Sequence, residues 1–251
     1  STSDGTFKVG DTVAVQVKFS EAVVVTTAGG TPKITLETGT TDRSVNYTSG
    51  SESDTLVFNY TVQNGDVASD LDYTGTTALA LNGGTIKDIA GNAATLTLKA
   101  VGATGSLGNA KALVVDGALP TISTVAANAG TKTITLTMSE NVSGSPANGD
   151  FSVLVGSASN AVTNVAVSSK SVVLTVTNFI ANDATVTVGY TQSSSDSAKM
   201  KDTAGNAVAT LSSAKSVTVT NDTAVPTVSS VTSSTSDGTF KVGDTVAVQV
   251  K

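Results

Sequence analysis

One stretch of eighteen residues occurs twice in this chain. Residues 1–18 and residues 234–251 both read STSDGTFKVGDTVAVQVK, at an offset of 233 residues. An identity of this length inside one polypeptide is a repeat, and repetition at a fixed period constrains the architecture more than any other pattern. We therefore expect the chain to represent one period of a longer array, followed by the beginning of the next period.

A second, weaker repeat lies inside this period. Three short motifs recur in the same order in its two halves, which indicates two related units rather than one large domain. They are the matched segments 19–23 and 138–142 (FSEAV, MSENV), 87–92 and 201–206 (KDIAGN, KDTAGN), and 116–121 and 222–227 (DGALPT, DTAVPT).

The spacing of these motifs predicts the domain boundaries. We expect one domain over 1–116, a second over 117–222, and the incomplete beginning of a third over 223–251. The second domain is predicted to open with a strand at 120–126. The corresponding strand of the first domain would precede residue 1, so the first domain is predicted to lack it.

Short alternating segments predict antiparallel β-sheet in both domains. Val13, Val15 and Val17 alternate with polar residues, as do Ile134 and Leu136, and a period of two is typical of a strand with one buried face. Many such strands separated by turn residues predict an antiparallel sandwich. The predicted strands are 7–9, 12–20, 32–38, 43–48, 54–62, 73–81, 93–98 and 112–116, then 120–126, 132–138, 151–156, 161–168, 171–177, 184–190 and 207–220.

Composition argues against several classes of function. The chain has no Cys and no His, which removes thiol catalysis, the Ser-His-Asp triad and the commonest transition-metal ligand. A net charge of −6 with one arginine, Arg43, disfavours binding to nucleic acid. Carboxylates could serve a glycosidase, but they recur in turns of both domains and few aromatic residues could hold a sugar. We predict a protein that is not an enzyme and that carries no membrane-spanning segment.

The three motifs resemble those of a known class of repeats. The strand ending in Phe-Ser-Glu-Ala-Val, the Lys-Asp-x-Ala-Gly-Asn turn and the Asp-x-Ala-x-Pro-Thr joint are similar to the bacterial Ig-like repeats of giant extracellular surface proteins, including secreted adhesins. The resemblance covers essentially the whole chain. It implies an all-β fold of two tandem Ig-like antiparallel β-sandwiches, a place on the bacterial cell surface and a stalk-like role.

Acidic residues concentrate where two such domains would meet. The chain has 16 Asp and 4 Glu. If the strands of each Ig-like sandwich are lettered A to G in chain order, the second domain's B–C turn carries Glu140 and its F–G turn carries Asp202 and Asn206. Both turns would face the joint at Asp116 and the E–F loop of the first domain, residues 65–72. Crowded carboxylates repel one another unless a cation lies between them, and oxygen ligands at variable spacing suit calcium. The predicted ligands at this junction are Asp116, Glu140, Asp202, Asn206, Asp66, Asp70 and Asp72.

The same reasoning predicts an equivalent site at the next junction. There, Asp222 and Asp183 would meet Glu21, Asp88 and Asn92 of the following copy. The alternative for all these residues is turn chemistry alone, because Asp and Asn side chains close hydrogen bonds to their own backbone in turns.

Three functions remain open from the sequence. The first is a structural extender of a bacterial surface protein, an adhesin or a fibre, whose partners are neighbouring repeats or copies of itself, arranged head to tail. The second is a self-assembling extracellular filament or surface-layer subunit. The third is an Ig-like module that binds a glycan or a host protein. Clustered aromatic residues would favour binding, but Tyr73, Phe179 and Tyr190 are scattered.

Overall fold

A computed structural model describes residues 2–219 and 227–251, and it confirms the all-β class. Within these residues the helices are short: α1 spans Leu107–Ala110 and a 3-10 turn spans Asn148–Asp150. No described helix is long and apolar enough to cross a membrane. The Ig-like arrangement of the sheets and the predicted domain boundaries stay predictions.

The first half of the chain forms two sheets. A six-stranded sheet has the order β7-β3-β4-β5-β2-β8, and a three-stranded sheet has the order β1-β9-β6, in which β1 runs parallel to β9. The strands are β1 Gly5–Lys8, β2 Thr12–Thr26, β3 Lys33–Leu36, β4 Arg43–Ser49, β5 Ser53–Thr61, β6 Val67–Ala68, β7 Leu79–Ala80, β8 Thr85–Asp88 and β9 Leu113–Asp116.

The second half forms two four-stranded sheets. Their orders are β10-β11-β15-β14 and β13-β12-β16-β17, with antiparallel pairing throughout. The strands are β10 Ile122–Ala127, β11 Thr133–Met138, β12 Phe151–Val155, β13 Ala158–Ser159, β14 Val162–Ser168, β15 Ser171–Val176, β16 Thr185–Tyr190 and β17 Lys215–Thr218.

Each half has its own hydrophobic core, and the two cores lie on either side of the connection from Asp116 to Ile122. The predicted alternation decides which side chains are buried. Ile134, Leu136 and Met138 of β11 are at most 2% exposed, while the threonines between them stay at or near the surface. Every second residue therefore contributes to the core, as expected for a strand with one solvated face.

Several predicted strands are wrong in extent. The segment 93–98 contains no strand, only an isolated bridge between Lys87 and Ala93, because Leu96 and Leu98 pack against the core without joining a sheet. The predicted strand 73–81 is reduced to Leu79–Ala80, and 207–220 to Lys215–Thr218. The strand β8 was not predicted.

The last described segment forms a small sheet of its own. β18, Val231–Ser233, pairs antiparallel with β19, Val248–Val250, and every residue of both strands is exposed. In the first half, β2 has the same sequence as β19 over its residues 15–17. No described strand lies beside that part of β2 on the edge away from β5.

Candidate metal centre

The Lys-Asp-x-Ala-Gly-Asn motif forms the same turn in both halves. In the second half, the Asp202 carboxylate accepts bonds from the N–H groups of Gly205 and Asn206 (2.7 and 2.8 Å) and from the Asn206 amide nitrogen (2.9 Å). In the first half, the Asp88 carboxylate accepts from Asn92 N–H and Nδ2, both at 2.7 Å. The sequence repeat is thus also a repeat of side-chain geometry.

Asn206 joins the two halves of the chain. Its Nδ2 donates to the carbonyl oxygen of Asp116 (2.8 Å), and its Oδ1 accepts from the N–H of Val9 (2.9 Å). The side chain is buried, since Asn206 is 3% exposed. It therefore fixes the second-half turn to both β9 and the loop after β1.

Three carboxylates converge beside this contact. One oxygen each from Asp116, Glu140 and Asp202 lie within 4.8 Å of one another; Asp202 is buried and the other two are half-buried. Among the described residues, none of the three forms a salt bridge with a lysine or arginine. Lys8 lies against Gly205, but its ammonium is paired with Asp11 at 2.6 Å.

Crowding of carboxylates in this cluster affects the pKa of Glu140. Burial raises the pKa of its carboxyl, the neighbouring Asp202 and Asp116 raise it further, and Lys170 acts in the opposite direction. A cation among the three carboxylates would remove this repulsion. The spacing suits calcium, because two oxygens that each lie about 2.4 Å from one ion are at most about 4.8 Å apart.

Asp66 belongs to a different structure. Its side chain is 1% exposed and pairs with Arg43 at 2.6 Å, and it also accepts from the Tyr60 hydroxyl (2.6 Å) and from Gln63 N–H (3.0 Å). Burial raises the pKa of Asp66, but these bonds more than offset it, so the pKa lies below its ordinary value. Only the backbone of Asp66 approaches the joint, where its carbonyl accepts from Gly117 N–H at 2.6 Å.

Asp70 and Asp72 face the loop that carries α1. A Cβ atom placed on Gly108 would lie 3.1 Å from Asp72 Oδ2 and 3.3 Å from Asp70 Oδ2. The Asp72 carboxylate accepts from Tyr73 N–H (2.9 Å) and Gly102 N–H (3.2 Å). These two residues form no three-carboxylate group with Asp116 in the described part of the chain.

The predicted residues of the other junction come from two successive copies, so a single chain does not assemble that site. Asp88 and Asn92 form their turn with Asn92 exposed, and Glu21 lies exposed in β2 near the residues that pair with β8. Asp183 is exposed in a turn with φ 56°, and Asp222 lies outside the described residues. The structure therefore brings together Asp116, Glu140, Asp202 and Asn206.

The buried network of Arg43, Tyr60 and Asp66 was not anticipated from the sequence. The signal was present, since Arg43 is the one arginine of the chain and a guanidinium suits a partly buried carboxylate pair. Spacing alone could not show that Asp66 and Asp72 are buried while Asp70, in the same loop, is exposed.

Comparison with known proteins gives partial matches. A family model described as a putative flagellar system-associated repeat matches residues 143–195. No curated protein matches the chain. Among solved structures, the N-terminal part of the bacterial S-layer protein SbsC is 21% identical over 46% of this chain, with a TM-score of 0.34. The match covers 26% of that structure's chain.

Proposed function

We propose that this chain is a structural extender, one period of a repetitive protein on the bacterial cell surface. The observation that carries this proposal is that the contact between the two halves is built by recurring residues. Asp202 and Asn206 bind one another as Asp88 and Asn92 do, and Glu140 corresponds to Glu21 in the matched motifs. Each repeat thus carries the parts needed to join the repeat before it.

The match of residues 143–195 to a repeat family supports a repetitive structural role. An adhesin stalk, a fibre and a surface-layer subunit are all compatible with such a unit. The binding-module alternative receives less support, because Tyr73 and Tyr190 are 5% and 2% exposed and offer no aromatic surface. Phe179 is exposed, but Lys132 already lies 4.7 Å from its ring centroid.

The proposed extender is stiffened by calcium held by Asp116, Glu140 and Asp202. A ligand that binds only the folded state stabilises it by mass action, by about 2.7 kcal/mol at a hundred times its dissociation constant. A cation at the joint between two halves would also restrict their relative motion. Stability and interdomain rigidity should therefore change together.

The test compares calcium with chelator for the wild-type chain, Glu140→Gln and the matched control Glu21→Gln. For the wild type and Glu21→Gln, we expect calcium to raise the melting temperature and to reduce the interdomain motion seen in small-angle scattering. Glu140→Gln should lose most of both effects, because it removes one of the three charges. Equal calcium responses in Glu140→Gln and the wild type, or no response in any protein, would remove calcium from the proposal.

A further inference from the structure

Within residues 2–219 and 227–251, no strand pairs with the outer edge of β2 over residues 12–18. On one side, residues 12–18 pair with β5; on the other, β8 covers only Val23–Thr26. Ala14 N–H donates to Thr2 Oγ1 at 2.7 Å, which orients the backbone groups of residue 14 away from β5. Because these directions alternate along a strand, the backbone groups of Gln16 and Lys18 also face this open edge.

A partly apolar groove lies against residues 15–19 of β2. Its volume is about 410 Å³, and it is lined by residues of β2, of the segment 95–99 and of α1. The apolar lining includes Val15, Val17, Phe19, Leu96, Leu98 and Leu107. An open backbone edge beside an apolar groove can accept a strand that brings both hydrogen bonds and apolar side chains.

Two other parts of the molecule show which strand belongs there. In the second half, β10 pairs with β11 with Val125 opposite Leu136. In the last segment, β18 pairs with β19 with Val231 opposite Val250. Leu136 and Val250 both correspond to Val17 in the matched repeats. The equivalent strand pair thus forms twice with the same register, and β2 lacks its partner in the described residues.

We propose that the edge of β2 binds residues 227–233 of a second copy of this chain. The register follows from β18 and β19, where Lys251 N–H donates to Ser230 O at 3.0 Å and Ser229 N–H donates to Lys251 O at 2.8 Å. Lys18 and Lys251 occupy the same position in the two copies of the stretch. In the docked arrangement, Ser230 of the second chain therefore lies opposite Lys18, and its Thr232 lies opposite Gln16.

The incoming strand also matches the groove. Val228 and Val231 are both 65% exposed in this chain. Their counterparts in the second half are Ile122, which is 2% exposed, and Val125, which packs against the core. Docking therefore buries two valines that otherwise face solvent. This inference deepens the proposed extender function, because it assigns the contact through which one repeat receives the strand of another.

Residues 234–251 of the same chain compete with β2 for the docking strand. Val231–Ser233 is already paired with Val248–Val250, so residues 234–251 must release it before it can dock elsewhere. All residues of both core clusters lie between Phe7 and Val219. Removing residues 234–251 therefore takes away the competitor without removing any core residue.

The first arm of the test compares the full chain with a chain ending at Ser233, by size exclusion with light scattering. We expect the shortened chain to form linear oligomers at concentrations where the full chain is mostly monomeric. Its main melting transition should stay within a few degrees of the full chain, which controls for folding. A shortened chain that melts normally and stays monomeric at every concentration would overturn the proposal.

The second arm blocks each partner separately in the shortened chain. Gln16→Pro removes an edge donor without touching the pairing with β5, and the double change Val228→Asp with Val231→Asp prevents burial in the groove. Each variant should be monomeric alone, and an equimolar mixture should give one-to-one dimers only. Oligomers of either variant alone, at wild-type levels, contradict the assigned surfaces.

The third arm tests the register in the shortened chain, which has no cysteine of its own. Gln16→Cys combined with Thr232→Cys should give a ladder of disulfide-linked multimers on oxidation, several-fold more than Ala14→Cys combined with Thr232→Cys. Equal yields would contradict the register. If calcium stiffens the joint but no docking occurs, the extender function stands and this inference fails. If docking occurs but calcium has no effect, this inference stands and calcium is removed from the proposed function.

Discussion

The two copies of the eighteen-residue stretch have identical sequences and different structures. In the first copy, Gly5–Lys8 is a strand because it pairs with β9, and Val13 and Val15 are 0% and 2% exposed. In the second copy, the residues that correspond to Gly5–Lys8 form no strand. Val246 and Val248 there are 43% and 66% exposed.

What the two copies share is two hydrogen bonds that join residues of the stretch itself. Ala14 N–H donates to Thr2 Oγ1 (2.7 Å), and Ala247 N–H donates to Thr235 Oγ1 (2.9 Å). Lys8 N–H and Lys241 N–H each donate to the Asp three residues later. Side-chain-to-backbone bonds between residues of the same stretch thus form in either setting. Sheet pairing and burial depend on the rest of the domain, which only the first copy has.

The largest expected effect on stability comes from a buried charge, and it is tested by placing aspartate at the same position of each copy. Val15→Asp puts a carboxylate without a cationic partner into the first core, which should cost about 3–5 kcal/mol of unfolding free energy. Val248→Asp changes an exposed residue and should stay within about 0.5 kcal/mol. Urea unfolding followed by circular dichroism measures both. Comparable losses in the two variants would mean that the second copy is packed like the first.

The contrast between local pattern and tertiary setting also explains how much of the fold could be predicted from the sequence. Alternation in 132–138 and 171–177 predicted β11 and β15 to within a residue, because those strands place one face in a core and the other in solvent. The segment 93–98 alternates as clearly but forms no strand, only an isolated bridge at Ala93. Alternation reports that one face is buried, and it does not report whether a neighbouring strand is within hydrogen-bonding reach.

For the site, motif recurrence predicted Asp116, Glu140, Asp202 and Asn206 as a group. It could not separate them from Asp66, Asp70 and Asp72, whose loop contacts the same joint through backbone bonds to Gly117. The direction of each side chain decides between them, and that direction follows from tertiary partners such as Arg43 and the N–H of Gly102. No spacing rule carries that information.

A smaller loss of stability is expected when the asparagine is removed from each of the two equivalent turns. Asn206→Ala removes bonds to Asp116 O, Val9 N–H and Asp202 in a buried position, and should cost about 1–3 kcal/mol. Asn92→Ala affects an exposed turn and should cost about 0.5 kcal/mol. Thermal unfolding measures the difference, and labels on the two halves should report looser coupling only in Asn206→Ala. Equal costs would show that Asn206 acts within its turn and not across the joint.

The smallest effect concerns pH and follows from the raised pKa of Glu140, whose ordinary value is 4.5. A carboxyl with a higher pKa in the folded state binds its proton more tightly there than in the unfolded chain. Its contribution to stability is therefore present below the unfolded pKa and is lost as the pH rises through the folded pKa. In chelator, the stability of the wild type relative to Glu140→Gln should fall as the pH rises from 4 to 7.

At pH 7 without calcium, Glu140→Gln should thus be the more stable protein, by about 0.5–1 kcal/mol for a charge interaction partly screened by solvent. Saturating calcium should reverse the order, because the cation favours the charged form of Glu140 that the variant lacks. Glu21→Gln, changed at the exposed equivalent position, should not show the reversal on adding calcium. A wild type that is more stable than Glu140→Gln at pH 7 in chelator would mean that the three carboxylates do not repel one another, and the electrostatic reason for a cation at this joint would be gone.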